Sequence, residues 1–204
     1  MKKILLSVMI MQLLGFAGVV FAECVQPAQV IGKWQVWDVD GLFADESQIN
    51  DTMAALDSGK ATVEELIENT KDARLNLSGA AEFFESGELV LKVVAASPDS
   101  PITMAMTMQA AWKSDCDKII LQATALEEIK VAVNPDAKLS AEKKADIEKQ
   151  IAGIEAQMKA EAANKDSEFN QPSVEKLLYV SANYLLTKEE GKAASDSAVT
   201  IYKK

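Results

Sequence analysis

The chain contains no histidine among its 204 residues, and this absence excludes several kinds of chemistry. Histidine is the usual general base near neutral pH and the commonest metal ligand in proteins, and a Ser-His-Asp triad cannot be built without it. The glycine-rich patterns that cradle phosphates, G-x-x-x-x-G-K and G-x-G-x-x-G, are absent as well. We therefore expect a protein that is not an enzyme, carries no cofactor and holds no metal ion.

Positive charge is also scarce. The chain has 21 lysines and arginines against 31 aspartates and glutamates, which gives a formal net charge of −10. Nucleic acids and anionic lipid surfaces attract basic proteins, so this balance argues against either as a partner. A net negative charge favours solubility, and we infer no further function from the charge.

The acidic residues do not form a recognisable site in the sequence. Glycoside hydrolysis needs a pair of carboxylates, and nothing in the chain singles out such a pair. Asp38 and Asp40 precede Gly41, and Asp115 and Asp117 flank a cysteine, but neither group has the ligand spacing of an EF-hand calcium loop. We interpret both groups as solvated turn residues.

The N-terminus has the features of a secretory signal peptide. Lys2 and Lys3 precede an apolar run from Ile4 to Phe21, and the small-x-small pattern of a cleavage site ends at Ala22. Cleavage after Ala22 would leave residues 23–204 as a single domain without a stable membrane anchor. We therefore expect a periplasmic or secreted protein.

The chain has only two cysteines, Cys24 and Cys116. Exported proteins meet an oxidising environment in which disulfides form and persist, so we expect the two to be joined. A redox motif would require neighbouring cysteines, and these are far apart in the sequence. The expected role of the disulfide is structural.

In the expected mature chain, apolar and polar residues alternate as they do in β-strands, and two helical insertions interrupt the strands. Strands are predicted around residues 30–39, on both sides of a glycine turn at 83–89, on both sides of Cys116, and at 176–187 and 198–202. Helices are predicted within about 46–73 and 140–164. The longer of these helices carries one narrow apolar stripe, which consists of Ile147, Ile151, Ile154 and Met158. Seven or eight strands joined as neighbours predict a mainly β protein, an antiparallel up-and-down barrel.

The order of these signals resembles bacterial exported lipocalin-like proteins, which belong to the calycin-type β-barrels. The resemblance rests on Gly32-Lys33-Trp34 at the first strand, the hairpin from Phe83 to Leu89, and the hairpin from Ala111 to Leu121. Two segments near the end of the chain, 184–187 and 200–204, resemble the last pair of strands in this family. With them, the resemblance covers most of the expected mature chain outside the helices. Two features depart from the pattern: Cys116 stands where the family turn usually has glycine, and the helical insertions are long. The resemblance implies an apolar barrel interior and does not imply a particular ligand.

We expect the barrel to bind a small hydrophobic molecule among side chains that alternate toward its interior. Methionine is unbranched and adapts to ligands of varied shape, so the run of methionines in one strand favours a permissive apolar cavity, although plain core filling would use the same residues. The predicted ligand-binding residues are Phe83, Leu89, Leu91, Val93, Met104, Met106, Met108, Ile119 and Leu121. The alternative is an envelope protein-binding module, an inhibitor or assembly factor, that uses the stripe of the long helix or the hairpin turns.

Overall fold

Eight antiparallel strands form a closed barrel in the computed structural model, which describes residues 24–43, 45–95, 100–164, 166–191 and 198–204. Each strand pairs with the next along the chain, and the last strand pairs with the first. The strands are β1 (Gly32–Asp40), β2 (Arg74–Phe83), β3 (Glu88–Ala95), β4 (Ile102–Asp115), β5 (Lys118–Val133), β6 (Ser173–Val180), β7 (Tyr184–Glu189) and β8 (Val199–Lys203). The prediction of a mainly β, up-and-down barrel is confirmed.

The helices lie outside the sheet: the first precedes β1, and the others lie between strands. They are α1 (Pro27–Val30), α2 (Ile49–Asp57), α3 (Val63–Asn69) and α4 (Ala141–Ala163), with short 3-10 turns at Glu46–Gln48 and Glu168–Asn170. Side-chain caps fix two of the starts: the hydroxyl of Thr62 accepts a hydrogen bond at α3, and that of Ser140 does so at α4. The predicted signal peptide, residues 1–22, lies outside the described residues.

None of the described helices is long and apolar enough to span a lipid bilayer.

The hairpin of β4 and β5 is the longest part of the sheet. Its turn places Cys116 at φ 54°, in the left-handed region that glycine adopts most readily. Side chains that alternate along β4 face the barrel interior, and Ala110 and Trp112 are buried there. Because β5 continues as one strand to Val133, the hairpin extends well beyond its short pairing with β6.

The prediction of one strand over 176–187 is wrong, because two strands occupy this segment. A turn separates β6 from β7, and the Ser181 hydroxyl accepts hydrogen bonds from the backbone N–H groups of Asn183 (3.2 Å) and Tyr184 (2.9 Å). Local bonds of this kind let serine and asparagine compete with a strand ladder. The extra turn brings the number of strands to eight.

Apolar side chains form two separate cores. The inner core fills one end of the barrel and consists of Val25, Val30, Trp34, Val36, Ala81, Phe83, Leu89, Ala110, Trp112, Ile119, Leu177, Leu185 and Tyr202. The outer core lies between the barrel wall and helices α2 and α3. It consists of Trp37, Val39, Leu42, Ile49, Met53, Leu56, Val63, Tyr184, Leu186, Val199 and Ile201. Strands β1, β7 and β8 contribute to both cores, so both of their faces are buried.

The disulfide between Cys24 and Cys116 is present, as predicted. It attaches the N-terminal segment to the turn of the β4–β5 hairpin, where the Val25 N–H also donates to the Cys116 carbonyl at 2.9 Å. Further along the segment, the indole N–H of Trp34 donates to the Val30 carbonyl at 2.7 Å. The segment from Cys24 to Val30 therefore closes one end of the barrel over the inner core.

Replacing both cysteines, Cys24→Ala with Cys116→Ala, should destabilise the protein by about 4 kcal/mol. The disulfide spans 92 residues, and a crosslink of this separation removes chain entropy from the unfolded state. Urea unfolding followed by tryptophan fluorescence measures the change, and the reduced wild-type protein serves as the control. An unchanged unfolding midpoint in both samples would show that the crosslink does not support the barrel.

Candidate functional site

A cavity of about 280 Å³ begins inside the barrel where the inner core ends. All strands except β7 contribute side chains to it, and so does the segment that precedes β6. Its lining consists of Val36, Asp38, Leu77, Leu89, Leu91, Met108, Ala110, Leu121, Ala123, Phe169, Gln171, Ser173, Glu175, Thr200 and Tyr202.

Aromatic packing fills the other end of the barrel. The rings of Phe83 and Trp112 meet edge to face with centroids 5.3 Å apart, and Phe83 lies 6.0 Å from the ring of Tyr202. The Trp112 indole N–H donates to the Phe84 carbonyl at 3.0 Å, which satisfies its polar atom. This end is a solid floor, and the cavity lies above it.

One wall of the cavity is apolar. It comes from strands β2 to β5, where Leu77, Leu89, Leu91, Met108 and Leu121 line the space. On the same wall Ala110 faces Ala123 across the β4–β5 ladder. Two methyl groups opposite each other fill less volume than larger side chains would, so this pair helps to leave the cavity open.

The facing wall is polar and comes from strands β1, β8 and β6, and Thr187 of β7 supports it from behind the lining residues. Asp38 pairs with Thr200 across β1 and β8, and Thr200 pairs with Thr187 across β8 and β7. The Thr200 hydroxyl donates to Asp38 Oδ2 at 3.3 Å, and the Thr187 hydroxyl donates to Glu175 Oε2 at 3.1 Å. Asn76 adds a bond of 2.8 Å from its amide to Asp38 Oδ1. We call Asp38, Thr187, Thr200 and Glu175 the acidic row.

Tyr202 lies between the acidic row and the solid floor. Burial raises the pKa of its phenol strongly, and the negative charges of Glu175 and Asp38 raise it further. Both causes disfavour the phenolate, because burial removes its hydration and the two carboxylates repel its charge. Tyr202 therefore stays neutral at physiological pH, and its hydroxyl is a hydrogen-bonding group.

The barrel wall is incomplete beside the cavity. Strands β5 and β6 pair only over Lys118–Leu121 and Ser173–Lys176, although β5 continues to Val133. Phe169 and Gln171 line the cavity from the segment before β6, and Ser173 lines it from the start of β6. We call this gap in strand pairing beside the cavity the side opening.

Helix α4 packs along the part of β5 that is paired with β4 but has no partner strand on its other side. Glu155 Oε1 accepts a hydrogen bond of 2.9 Å from the backbone N–H of Val131. A glutamate thus satisfies a backbone donor that would otherwise belong to an open strand edge. The helix therefore covers the open edge of β5. The bond between Glu155 and Val131 also places the helix beside the side opening.

The structure brings some of the predicted ligand-binding residues together and separates others. Leu89, Leu91, Met108 and Leu121 line the cavity. Phe83 and Ile119 are each 1% exposed and belong to the inner core below it.

The remaining predicted residues lie further along the sheet, outside the set that lines the cavity. Val93 pairs with Met106, and Met104 follows on the same face of β4. Across the hairpin, Met106 and Met104 face Ile129 and Val131, which are both buried. The methionine run therefore contributes Met108 to the cavity and its other members to the extension of the hairpin.

The two carboxylates of the cavity were not predicted as site residues. The interpretation of Asp38 as a solvated turn residue is wrong, because it lies within β1 and lines the cavity. Counting inward positions would have found it, since Trp34, Val36 and Asp38 follow one another at every second residue. Glu175 likewise stands two residues before the buried Leu177, on the same strand. A charged residue at an inward position was the available signal.

Among the described residues, no three side chains of histidine, cysteine, aspartate or glutamate come together in a group that could hold a metal ion. No protein-family model matches the chain, and a comparison with curated proteins found no match. The functional argument therefore depends on the geometry of the cavity.

Tyr202→Phe should make the stability of the folded protein fall less steeply as the pH rises above 10. The unfolded phenol has a pKa near 10 and the folded one a higher value, so this group's contribution is complete below pH 10. As the pH rises above 10, only the unfolded state releases the proton, and stability falls until the folded pKa is reached. Urea unfolding as a function of pH measures the slope.

Tyr179→Phe is the comparison variant. Burial raises the pKa of Tyr179 as well, and its hydrogen bond of 2.9 Å to Asp57 adds to the rise, but this tyrosine is much less enclosed. We expect a smaller change in slope from it. Equal slopes in the wild type and Tyr202→Phe would contradict the assignment.

Proposed function

We propose that the protein is an exported lipocalin-like carrier that binds a small hydrophobic molecule in the barrel cavity. The observation that carries this proposal is the open space between the solid aromatic floor and the side opening. Ligand pockets in proteins usually measure about 300 to 1,000 Å³. At about 280 Å³ the cavity suits a compact ligand and is too small for a long lipid.

The order of elements supports the lipocalin-like part of the proposal. Glycine and tryptophan stand in the first strand, an up-and-down barrel closes with the last, and Trp34 packs in the inner core at the closed end. Export is supported by the sequence of residues 1–22 and by the disulfide, because disulfides persist outside the reducing cytoplasm.

The rival proposal, an envelope protein-binding module, would use the stripe of α4. No residue of α4 is buried, which leaves Ile147, Ile151, Ile154 and Met158 partly exposed. The two functions differ in what they require from the cavity. A carrier needs the space inside the barrel, and a protein-binding surface on α4 does not.

Filling the cavity should abolish binding of an apolar probe. In Ala123→Phe a ring would project from the apolar wall into the space beside Met108 and Leu121. We expect the affinity for the neutral dye N-phenylnaphthylamine to fall by about tenfold or more, since the ring occupies the space that the dye needs. Dye fluorescence in a titration measures the change.

Ala125→Phe is the matched control, because Ala125 lies on the same strand and is exposed. It should bind the dye as the wild type does. Circular dichroism and urea unfolding establish that both variants are folded. Equal dye affinity in folded Ala123→Phe and wild type would overturn the carrier proposal, and so would a wild-type protein that binds no apolar probe.

A further inference from the structure

An aromatic side chain lies at the side opening of the barrel cavity. We infer that Phe169 is a gate: its ring covers the cavity in the closed state and moves aside with its turn when a ligand enters or leaves. This inference rests on the proposed carrier function and adds the route by which the ligand reaches the cavity. We call residues 166–171, which contain Phe169, the gate turn.

The gate turn completes the cavity wall where strand pairing stops. Among the described residues that line the cavity, all belong to strands except Phe169 and Gln171. The β5–β6 ladder ends at Leu121 and Ser173, and the short 3-10 turn Glu168–Asn170 contacts β5. Backbone hydrogen bonds hold the rest of the wall, but at this place a partly buried side chain covers the cavity. Moving Phe169 therefore breaks no strand pairing.

Two asparagines join the gate turn to the end of α4. The Asn170 amide donates to the carbonyls of Ala162 at 2.9 Å and Asn164 at 2.8 Å. The Asn164 side chain accepts a bond of 3.1 Å from the backbone N–H of Asp166. Ala162 lies in the last turn of α4, and Asn164 caps the helix. The gate turn and the C-terminal end of α4 therefore form one hydrogen-bonded unit.

Helix α4 is held on the barrel by a small contact. It packs on β5, but none of its residues is buried, and its apolar stripe is only partly covered. A hydrogen bond from the Val131 N–H to Glu155 Oε1 joins the helix to the edge of β5. Elements with few buried apolar contacts open locally at a free-energy cost well below that of global unfolding. We therefore expect α4 and the gate turn to move together while the barrel stays closed.

A gate and a fixed wall residue have different effects on binding rates. A side chain that only contacts the ligand adds affinity, and its loss mainly speeds dissociation. A side chain that must move before the ligand passes slows entry as well as exit, because a required conformational change lowers the association rate. A faster association after truncation therefore identifies a gate.

Phe169→Ala should raise the association rate of N-phenylnaphthylamine by about fivefold or more, since the ring no longer has to move. Its dissociation should become faster as well, and stopped-flow fluorescence measures both rates. Leu91→Ala truncates a lining residue on β3, so it should speed dissociation and leave association unchanged. Phe84→Ala removes a ring that is 36% exposed and does not line the cavity, and it should leave both rates as in the wild type.

Asn170→Ala should release the gate turn from α4 while the ring of Phe169 is kept. The variant loses both amide bonds to the end of the helix. Association and dissociation should both become faster, and the equilibrium affinity for the dye should change by less than about twofold, because the ligand contacts remain. Asn183→Ala is the matched control, since it removes an amide bond to Asp57 away from the cavity. It should leave both rates unchanged.

Thiol labelling tests the gate without a bound ligand. Ala123→Cys places a thiol on the cavity wall, and iodoacetamide must enter the cavity to alkylate it. Adding Phe169→Ala or Asn170→Ala should speed the labelling by about fivefold or more, whereas adding Phe84→Ala should not. Mass spectrometry of the intact protein follows the reaction, and the native disulfide does not react with this reagent.

The outcomes separate the gate from the carrier proposal. If the dye binds and Phe169→Ala speeds only its dissociation, Phe169 is a wall residue and the gate inference is wrong, while the carrier proposal stands. Equal labelling rates in all variants would also overturn the gate, and so would a Phe84→Ala variant that is accelerated as much as Phe169→Ala. If the wild type binds no dye but labelling still depends on Phe169, the carrier proposal fails and the gate remains.

Discussion

Pairing between the first and last strands is the constraint on which the rest of the molecule depends. The β1–β8 ladder runs from Gln35–Lys203 to Val39–Val199 and converts a long curved sheet into a closed wall. Closure removes the exposed edges at both ends of the sheet and creates an inside. Inward side chains then have fixed neighbours across the barrel, so apolar and polar side chains can lie on different walls.

Burial on both faces strengthens the wall near this seam. Leu185 faces the inner core while Tyr184 and Leu186 belong to the outer core under α2 and α3. The first half of β7 is accordingly continuous in apolar residues, Tyr184-Leu185-Leu186, whereas an ordinary barrel strand alternates. The helical insertion between β1 and β2 is therefore part of what holds the seam together. Its outer core stabilises the strands that carry the acidic row on their inner side.

The β4–β5 hairpin was predictable from the sequence because its signals are local. Alternation over Met104, Met106 and Met108 identified the inward face, and Ser140 identified the start of α4. The limit of the cavity was not predictable in this way. Alternation shows which face of a strand is inside, but it does not show where aromatic packing stops and open space begins.

The turn between β6 and β7 and the acidic row were missed for different reasons. Ser181 to Asn183 contain neither glycine nor proline, so the turn depends on hydrogen bonds to a serine hydroxyl that composition does not reveal. Glu175 carries only a weak local signal, its inward position two residues before Leu177, because its hydrogen-bond partner Thr187 lies on the next strand. Asp38 could be found by counting positions, but its neighbour Thr200 is distant in the sequence and becomes adjacent only on barrel closure.

The acidic row is costly for folding, and that cost bears on its role. Carboxylates in a shielded space lose hydration, and hydroxyl or amide donors replace it only in part. A barrel selected only for stability would place apolar residues at these positions, as it does with Val36 and Leu185 nearby. The acidic row thus adds polar groups to the cavity surface at a cost in stability, which points to a role in the cavity and not in packing.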